Sequence, residues 1–203
     1  MLLAGCGAPS PSAPTPNTPS NASQNDKSSV SEDVFLEFTA KDFEGNEVDQ
    51  SVFANTKLTM MNVWATFCGP CIREMPELGE LAAEGGTEYQ IIGVCTDLDD
   101  TEEMLKEAQD IVAETGASYL HLQPSESLLP VLTASSAVPV TFFFDSEGKL
   151  VGQGITGALD KARWEKELQA RLEIVNAAAQ EKEDAAQDDA AANSEDTSDA
   201  ASE

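Results

Sequence analysis

The sequence predicts an α/β fold in which a mixed central sheet is flanked by helices. Apolar runs of strand length alternate with stretches of helical periodicity through the middle of the chain, as in sheets covered by crossover helices. A pair of cysteines, Cys68 and Cys71, falls where one of those strands would turn into a helix. Both ends differ in composition from the middle, which leaves residues 32–175 as one domain of about 145 residues, enough for a single core.

The first predicted strand lies near Phe35 to Ala40, followed by a turn at Glu44-Gly45-Asn46 and a short helix near Gln50 to Ala54. Lys57-Leu58-Thr59-Met60-Met61-Asn62-Val63-Trp64 reads as a short buried strand. A helix is predicted over Ile72 to Glu84, ended by Gly85-Gly86. Pro76 inside it removes the bond to the Ile72 carbonyl and should kink it. Tyr89 to Thr96 is apolar and strand-like, and Thr101 to Thr115 has helical periodicity with Glu102 and Glu103 in its first turn, where the helix dipole favours negative charge. Tyr119 to Leu122 is a short strand and Leu128 to Ala134 a short helix. Thr141 to Asp145 and Leu150 to Ile155 form a hairpin, and Leu159 to Val175 is the closing helix. The chain has no internal repeat.

Two cysteines separated by Gly69-Pro70 can close and open a disulfide at the start of a helix. Unpaired N–H groups and the positive end of the helix dipole stabilise a thiolate there. The Cys68 pKa should therefore fall below the free-thiol value of about 8.5, which makes Cys68 the expected nucleophile. Pro70 suits the first helical turn, since the N–H it lacks would have no intrahelical partner. Cys71, one turn further in, is the expected resolving thiol, which attacks the mixed disulfide and releases the substrate. A CxxC can also be half of a zinc site, but in the body of the chain only Cys95 and His121 remain, at no zinc-like spacing. No metal is expected, and no cofactor beyond the redox-active Cys68-Cys71 disulfide.

The string Asn62-Val63-Trp64-Ala65-Thr66-Phe67-Cys68-Gly69-Pro70-Cys71-Ile72-Arg73-Glu74-Met75-Pro76 resembles the active-site signature of the TlpA/ResA family, membrane-tethered extracytoplasmic proteins of the thioredoxin fold. Val138-Pro139-Val140-Thr141-Phe142-Phe143-Phe144-Asp145-Ser146-Glu147-Gly148-Lys149 resembles that family's proline loop, strand and turn. Phe38-Thr39-Ala40-Lys41-Asp42-Phe43-Glu44-Gly45-Asn46-Glu47-Val48 resembles its N-terminal hairpin. The resemblance implies a thioredoxin-like fold with an added N-terminal β-hairpin and a central helix-strand insertion. Pro139 matches the family's cis-proline, which would pack against the CxxC and leave the Val138 backbone to pair with an extended substrate segment. Glu74 matches an acidic residue three positions after the second cysteine, one helical turn from Cys71. A partly desolvated carboxylate there could take the proton of the resolving thiol, although spacing alone equally fits a solvated helix glutamate. Asn62 stands where cytoplasmic thioredoxins carry a buried aspartate. Phe67 replaces the tryptophan common before the first cysteine and is expected, with Trp64, at the substrate groove.

Residues 7–31 hold five of the ten prolines (Pro9, Pro11, Pro14, Pro16, Pro19) among Ser, Thr and Asn without hydrophobic periodicity, and read as a disordered linker. As a flexible coil it would hold the domain on the order of 25 to 30 Å from an anchor. Leu3-Ala4-Gly5-Cys6 resembles a bacterial lipobox, which implies lipid attachment at Cys6 and makes residues 1–6 a signal remnant too short for a complete leader. No apolar run of 18 residues is present, so no spanning helix is expected. Residues 176–203 carry nine acidic residues against one lysine and read as an acidic disordered tail that continues the last helix at most a few turns. The net charge of −26 would repel nucleic acid and anionic lipid surfaces, so neither is an expected partner.

Cys95 reads as a buried small hydrophobe with a redox role kept open by its strand-end position, His121 as structural or surface, and Trp64 and Trp164 as packing residues. The expected function is that of a monomeric, lipid-anchored extracytoplasmic thiol-disulfide oxidoreductase working as a reductase of exported protein disulfides. A CcdA/DsbD-type membrane electron donor would recharge it, since no soluble reductase pool exists outside the membrane. In family terms the clients would be apocytochrome c, an exported methionine sulfoxide reductase or another exported protein. A disulfide oxidase or isomerase of the same fold and a non-catalytic client-binding module are the alternatives, together with a peroxiredoxin-like peroxidase. That peroxidase would want a Pro-x-x-x-Thr-x-x-Cys loop, which is absent.

Overall fold

The computed structural model describes residues 30–195. Its elements are β1 (Val30–Phe35), β2 (Thr39–Lys41), β3 (Glu47–Asp49), a 3-10 turn at Gln50–Asn55, β4 (Leu58–Trp64), α1 (Gly69–Glu84), β5 (Tyr89–Cys95), α2 (Glu102–Thr115) and β6 (Leu120–Leu122). A 3-10 turn at Glu126–Leu128 leads into α3 (Leu129–Leu132), followed by β7 (Val140–Asp145), β8 (Lys149–Val151), β9 (Ile155–Thr156) and α4 (Lys161–Glu195). The main sheet runs β1-β8-β7-β4-β5-β6, with β9 beside the start of β7, and β2-β3 forms a separate ribbon. Strands β4, β5 and β6 are parallel, while β7 runs antiparallel to β4 and pairs antiparallel with β8 and β9. The sheet is mixed, as the sequence predicts.

Strand β4 is the keystone because all seven of its residues are buried. Met61 and Val63 pack on one face with Phe38, Ile92, Leu122 and Phe144. Leu58 and Met60 pack on the other with Leu78 and Leu81 of α1, Phe143, and Trp164 of α4. This period-two split is what a strand covered on both faces requires. Helix α2 starts where the Thr101 hydroxyl accepts from the Met104 N–H, and it ends at Gly116, whose φ of 69° suits a residue without Cβ.

The register brings the C-terminal ends of β4 and β5 together with the N-terminal end of β7. Trp64 pairs with Cys95 across β4-β5, and Val63 pairs with Val140 across β4-β7. The segments that leave β4 at Trp64 and β5 at Cys95 therefore meet the Val138-Pro139 segment that enters β7, at one end of the strands.

Several expectations need correction. The strand expected over Phe35 to Ala40 is two strands in different sheets, because Leu36 and Phe38 turn inward to the core while Phe35 stays exposed. The active-site helix begins at Gly69 rather than Ile72, since Cys68 caps it and Pro70 fits its first turn, and it runs through Pro76 to Glu84. The second hairpin arm is split into β8 and β9 around Gly152, whose φ is 71°. Helix α4 continues to Glu195, far beyond Val175, so most of the segment read as a disordered tail is helical. Its Ala, Gln, Glu and Lys are strong helix formers, and Lys182 pairs with Glu147 at 2.9 Å. The lipobox with Cys6, the linker up to residue 29 and residues 196–203 lie outside the described residues. Among the described residues no helix is long and apolar enough to cross a membrane.

Candidate active site

Cys68 and Cys71 are joined in a disulfide at the junction of β4 and α1, with Cα atoms 5.3 Å apart. The position follows from the local sequence. Strand β4 ends at Trp64, the Cys68 N–H donates to the Ala65 carbonyl at 3.0 Å, and Cys68 takes the cap position of a 16-residue helix. Its Sγ accepts from the Cys71 N–H at 3.2 Å. Upon reduction the same N–H and the positive end of α1 favour negative charge on Cys68. Cys68 is 5 % exposed and Cys71 1 %, so an incoming sulfur meets Cys68 first and Cys71 stays behind it.

Glu74 is buried one turn along α1. Its Oε1 accepts from Asn62 Nδ2 of β4 at 3.1 Å, and its Oε2 accepts from the Leu159 N–H at 3.1 Å and from Trp164 Nε1 at 3.3 Å. Burial raises the carboxyl from 4.5 to about 7, against the pull of those three donors and with a further push from Glu77. The geometry excludes the solvated-glutamate reading. A carboxyl that divides its time between acid and base near neutrality, on the helix that carries both cysteines, is equipped to exchange protons. Asn62 Nδ2 also donates to Thr141 Oγ1 at 3.0 Å, leaving Asn62 Oδ1 buried and unpaired.

On the other side of the cysteine loop, Asp97 just after β5 receives three groups. The Thr66 N–H lies 3.0 and 3.1 Å from its two oxygens, the Thr66 hydroxyl donates at 2.7 Å, and the Cys95 thiol at 3.2 Å. Burial opposes ionisation, but the bonds from Thr66 and Cys95 hold the carboxyl below its ordinary range. With the Thr96 N–H donating to the Trp64 carbonyl at 2.8 Å, they fasten the loop that leads into Cys68 to the end of β5. Cys95 itself is fully buried, and burial together with Asp97 pushes its thiol far above the ordinary range. Its S–H serves as a buried donor to Asp97.

The Val138-Pro139 bond is cis and immediately precedes β7. Val138 packs against the cluster that holds both cysteines. The Pro139 carbonyl accepts from the Gly157 N–H at 2.8 Å, whereas the N–H and C=O of Val138 have no partner among the described residues. Phe67 projects beside the disulfide with 77 % of its surface exposed. Trp64, expected at the groove, is fully buried beneath the cysteines, where its ring meets Phe43 and the edge of His121. It supports the site from below and does not line its surface. His121 is also buried; burial lowers it to about 4, so it is neutral, with Nε2 3.0 Å from the Ala117 carbonyl. Among the described residues no group of three or more acidic, Cys or His side chains is placed to hold a metal.

Asp97, Leu159 and Trp164 are site residues that sequence reasoning did not assign, and Asn62 enters the site only by resemblance, without a partner. A signal existed for Asn62, a polar side chain in the middle of a buried strand, which must find partners. The Leu159 and Trp164 donors come from 85 and 90 positions away, where no local pattern points to Glu74.

The model of the AhpC/TSA family matches residues 32–153. The thiol:disulfide interchange protein DsbE of Yersinia pestis is 27 % identical over 124 residues, 61 % of this chain and 62 % of that protein. The thiol-disulfide oxidoreductase ResA of Bacillus thuringiensis (strain Al Hakam) is 27 % identical over 120 residues, 57 % of this chain and 64 % of that protein. The chain thus spans a little under two thirds of the length of these curated relatives. The exposed lipoprotein thioredoxin Etrx1 of Streptococcus pneumoniae strain TIGR4 matches in structure with a TM-score of 0.51 at 25 % identity, over 66 % of this chain and 98 % of that one. The fold is thioredoxin-like, and with a family model matched over more than half its length the chain belongs to the AhpC/TSA family.

Proposed function

We propose that this protein is an extracytoplasmic thiol-disulfide oxidoreductase, tethered to the membrane by lipid on Cys6, that reduces disulfides of exported proteins. The observation that carries the activity is the Cys68-Cys71 disulfide capping α1, with Cys68 foremost and a buried proton-exchanging carboxyl on the same helix. In the reduced protein the Cys68 thiolate attacks one sulfur of a client disulfide, forming Cys68–S–S–client and releasing the other client sulfur as a thiolate. Cys71 then passes its proton to Glu74 and attacks Cys68 Sγ. The Cys68-Cys71 bond forms, the client bond breaks, and the client leaves with two electrons and, after protonation, as a dithiol. Glu74 returns its proton when the disulfide is next reduced. The unpaired Val138 backbone and the exposed Phe67 suit an extended client segment laid beside the disulfide.

The reducing direction is supported by the Gly69-Pro70 pair between the cysteines, the pairing of reducing thioredoxins. The tether is supported by the lipobox-like Leu3-Ala4-Gly5-Cys6, the proline-rich residues after it, and the structural likeness to an exposed lipoprotein thioredoxin. A CcdA/DsbD-type membrane protein is the proposed electron donor, and apocytochrome c or another exported disulfide protein the client. Reduced protein mixed with a disulfide-bonded peptide should lose two thiols as the peptide gains two, and Cys71→Ser should trap the peptide on Cys68. If Cys71→Ser accumulates no mixed disulfide while the wild type consumes hydrogen peroxide, the protein is a peroxidase and the proposal fails.

A further inference from the structure

Among the described residues the Glu74 carboxylate accepts three hydrogen bonds, from Asn62 Nδ2 on one oxygen and from the Leu159 N–H and Trp164 Nε1 on the other. That set suits the ionised form. Once Glu74 takes a proton, a new O–H needs an acceptor, and an O–H aimed at an N–H donor in a buried site is costly. Two buried oxygens near Glu74 are unpaired, Asn62 Oδ1 and the Tyr119 hydroxyl. Tyr119, on the β6 side, feels the charge of Glu74 but makes no hydrogen bond to it. Glu77 on α1 is the other charge acting on the carboxyl, and it favours the protonated form without supplying a partner.

We propose that Asn62 is a positioning residue whose side-chain amide turns over with the protonation of Glu74, exchanging Nδ2 for Oδ1 at the carboxyl. A half-turn about the last side-chain bond places Oδ1 where Nδ2 now lies, 3.1 Å from Glu74 Oε1 and 3.0 Å from Thr141 Oγ1. The bond count is conserved. With Glu74 ionised, Nδ2 donates to Oε1 and to the Thr141 hydroxyl oxygen. With Glu74 neutral, the carboxyl O–H and the Thr141 O–H both donate to Oδ1, which has two lone pairs. The flip leaves the Nδ2H2 group unpaired in place of Oδ1, so it is favoured only when the new bond from the Glu74 hydroxyl, with that from Thr141, outweighs the two lost N–H partners, and the proton decides. An aspartate at this position could not play both parts, since its carboxylate is acceptor-only when ionised and would compete for the proton. The exchange also carries the protonation state of Glu74 to Thr141, two residues from Pro139 on the strand that follows the client-binding loop.

This inference rests on the proposed proton uptake by Glu74, and the test separates the two. Nuclear magnetic resonance on the full chain would follow the Glu74 carboxyl carbon and the Asn62 Nδ2H2 group between pH 5 and 9. The Asn62 amide signals should move with the same midpoint as the carboxyl, and their cross-relaxation with the Thr141 side chain should fall as Glu74 protonates. In Glu74→Gln the Asn62 signals should no longer respond to pH, while Tyr119→Phe should leave the response intact. A titrating Glu74 beside an unmoved Asn62 overturns the amide exchange and leaves the catalytic reading standing. A response that persists in Glu74→Gln, or a Glu74 that does not titrate in this range, overturns it as well. Independently, Glu74→Gln should abolish the inflection near neutrality in the rate of mixed-disulfide resolution. If it does not, the catalytic reading fails whatever Asn62 does.

Discussion

Glu74 and His121 are both buried, and their protons affect stability in opposite senses, so Glu74→Gln should expose a pH dependence that the wild type hides. Glu74 is raised from 4.5 to about 7, so between those values the folded chain holds a proton that the unfolded chain has lost, and stability falls as pH rises through the window. His121 is lowered from 6.5 to about 4, so in its window the unfolded chain holds the extra proton and stability rises with pH. Each shift is worth about 3 kcal/mol over its full range, at about 1.36 kcal/mol per unit. From pH 4.5 to 6.5 the two slopes cancel. The depressed carboxyls of Asp42, Asp49, Asp97 and Asp99 act below this range, as pH falls through and under 3.8. Urea unfolding of wild type and Glu74→Gln at several pH values and fixed ionic strength measures the difference. Gln leaves the Leu159 or Trp164 donor poorly matched, which shifts the whole curve without tilting it. Relative to wild type, the variant should gain about 3 kcal/mol between pH 4.5 and 7. Parallel curves would refute the buried, proton-exchanging carboxyl.

Gly93→Ala should destabilise the fold by about 1–3 kcal/mol in thermal or urea unfolding, because its Cβ would lie 2.3 Å from His121 Nδ1 and 3.2 Å from Trp64 Nε1, beneath the active site. Asp97→Ala removes the acceptor of the Thr66 N–H, Thr66 hydroxyl and Cys95 thiol, and should cost about 1–3 kcal/mol. It should also lower kcat/KM for a disulfide peptide, with Asp97→Asn losing less because its carbonyl oxygen can still accept from Thr66. Cys95 should resist alkylation in native protein at pH 8 over times that label reduced Cys68, and react only on unfolding. Equal labelling rates for Cys95 and Cys68 would contradict its placement.

What could be read from the sequence was local. The CxxC at a strand-to-helix turn follows from adjacent residues: an apolar run, a cap, and a proline that fits the first turn. The spacing put Glu74 on the helix of the cysteines but could not say which way it faces. Its burial is set by Asn62 on β4 and by Leu159 and Trp164 near the start of α4, contacts that exist only once the sheet has brought those segments together. By resemblance Asn62 stands in place of a buried aspartate, and the geometry makes it a donor to the Glu74 carboxyl. Trp64 stands close to Cys68 in the chain, a nearness that suggests the groove. Strand alternation instead sends it inward to Phe43 and His121. The break between β1 and β2 leaves no local mark, because Phe35 to Ala40 alternates as one strand would, and only the pairing of Phe35 with Lys149 and of Thr39 with Asp49 divides it between two sheets. The extension of α4 follows from the intrinsic helix propensity of its Ala, Gln, Glu and Lys residues, which outweighs the mutual repulsion of its acidic side chains.

Whether the protein gives or takes electrons is decided by the reduction potential of the Cys68-Cys71 pair. Equilibration of the protein in graded thiol-disulfide buffers, followed by alkylation and counting of free thiols, would give it. A value near that of thioredoxin, about −270 mV, is the result predicted for a reductase of exported proteins; a value near that of DsbA, about −120 mV, would contradict it and make the protein an oxidant.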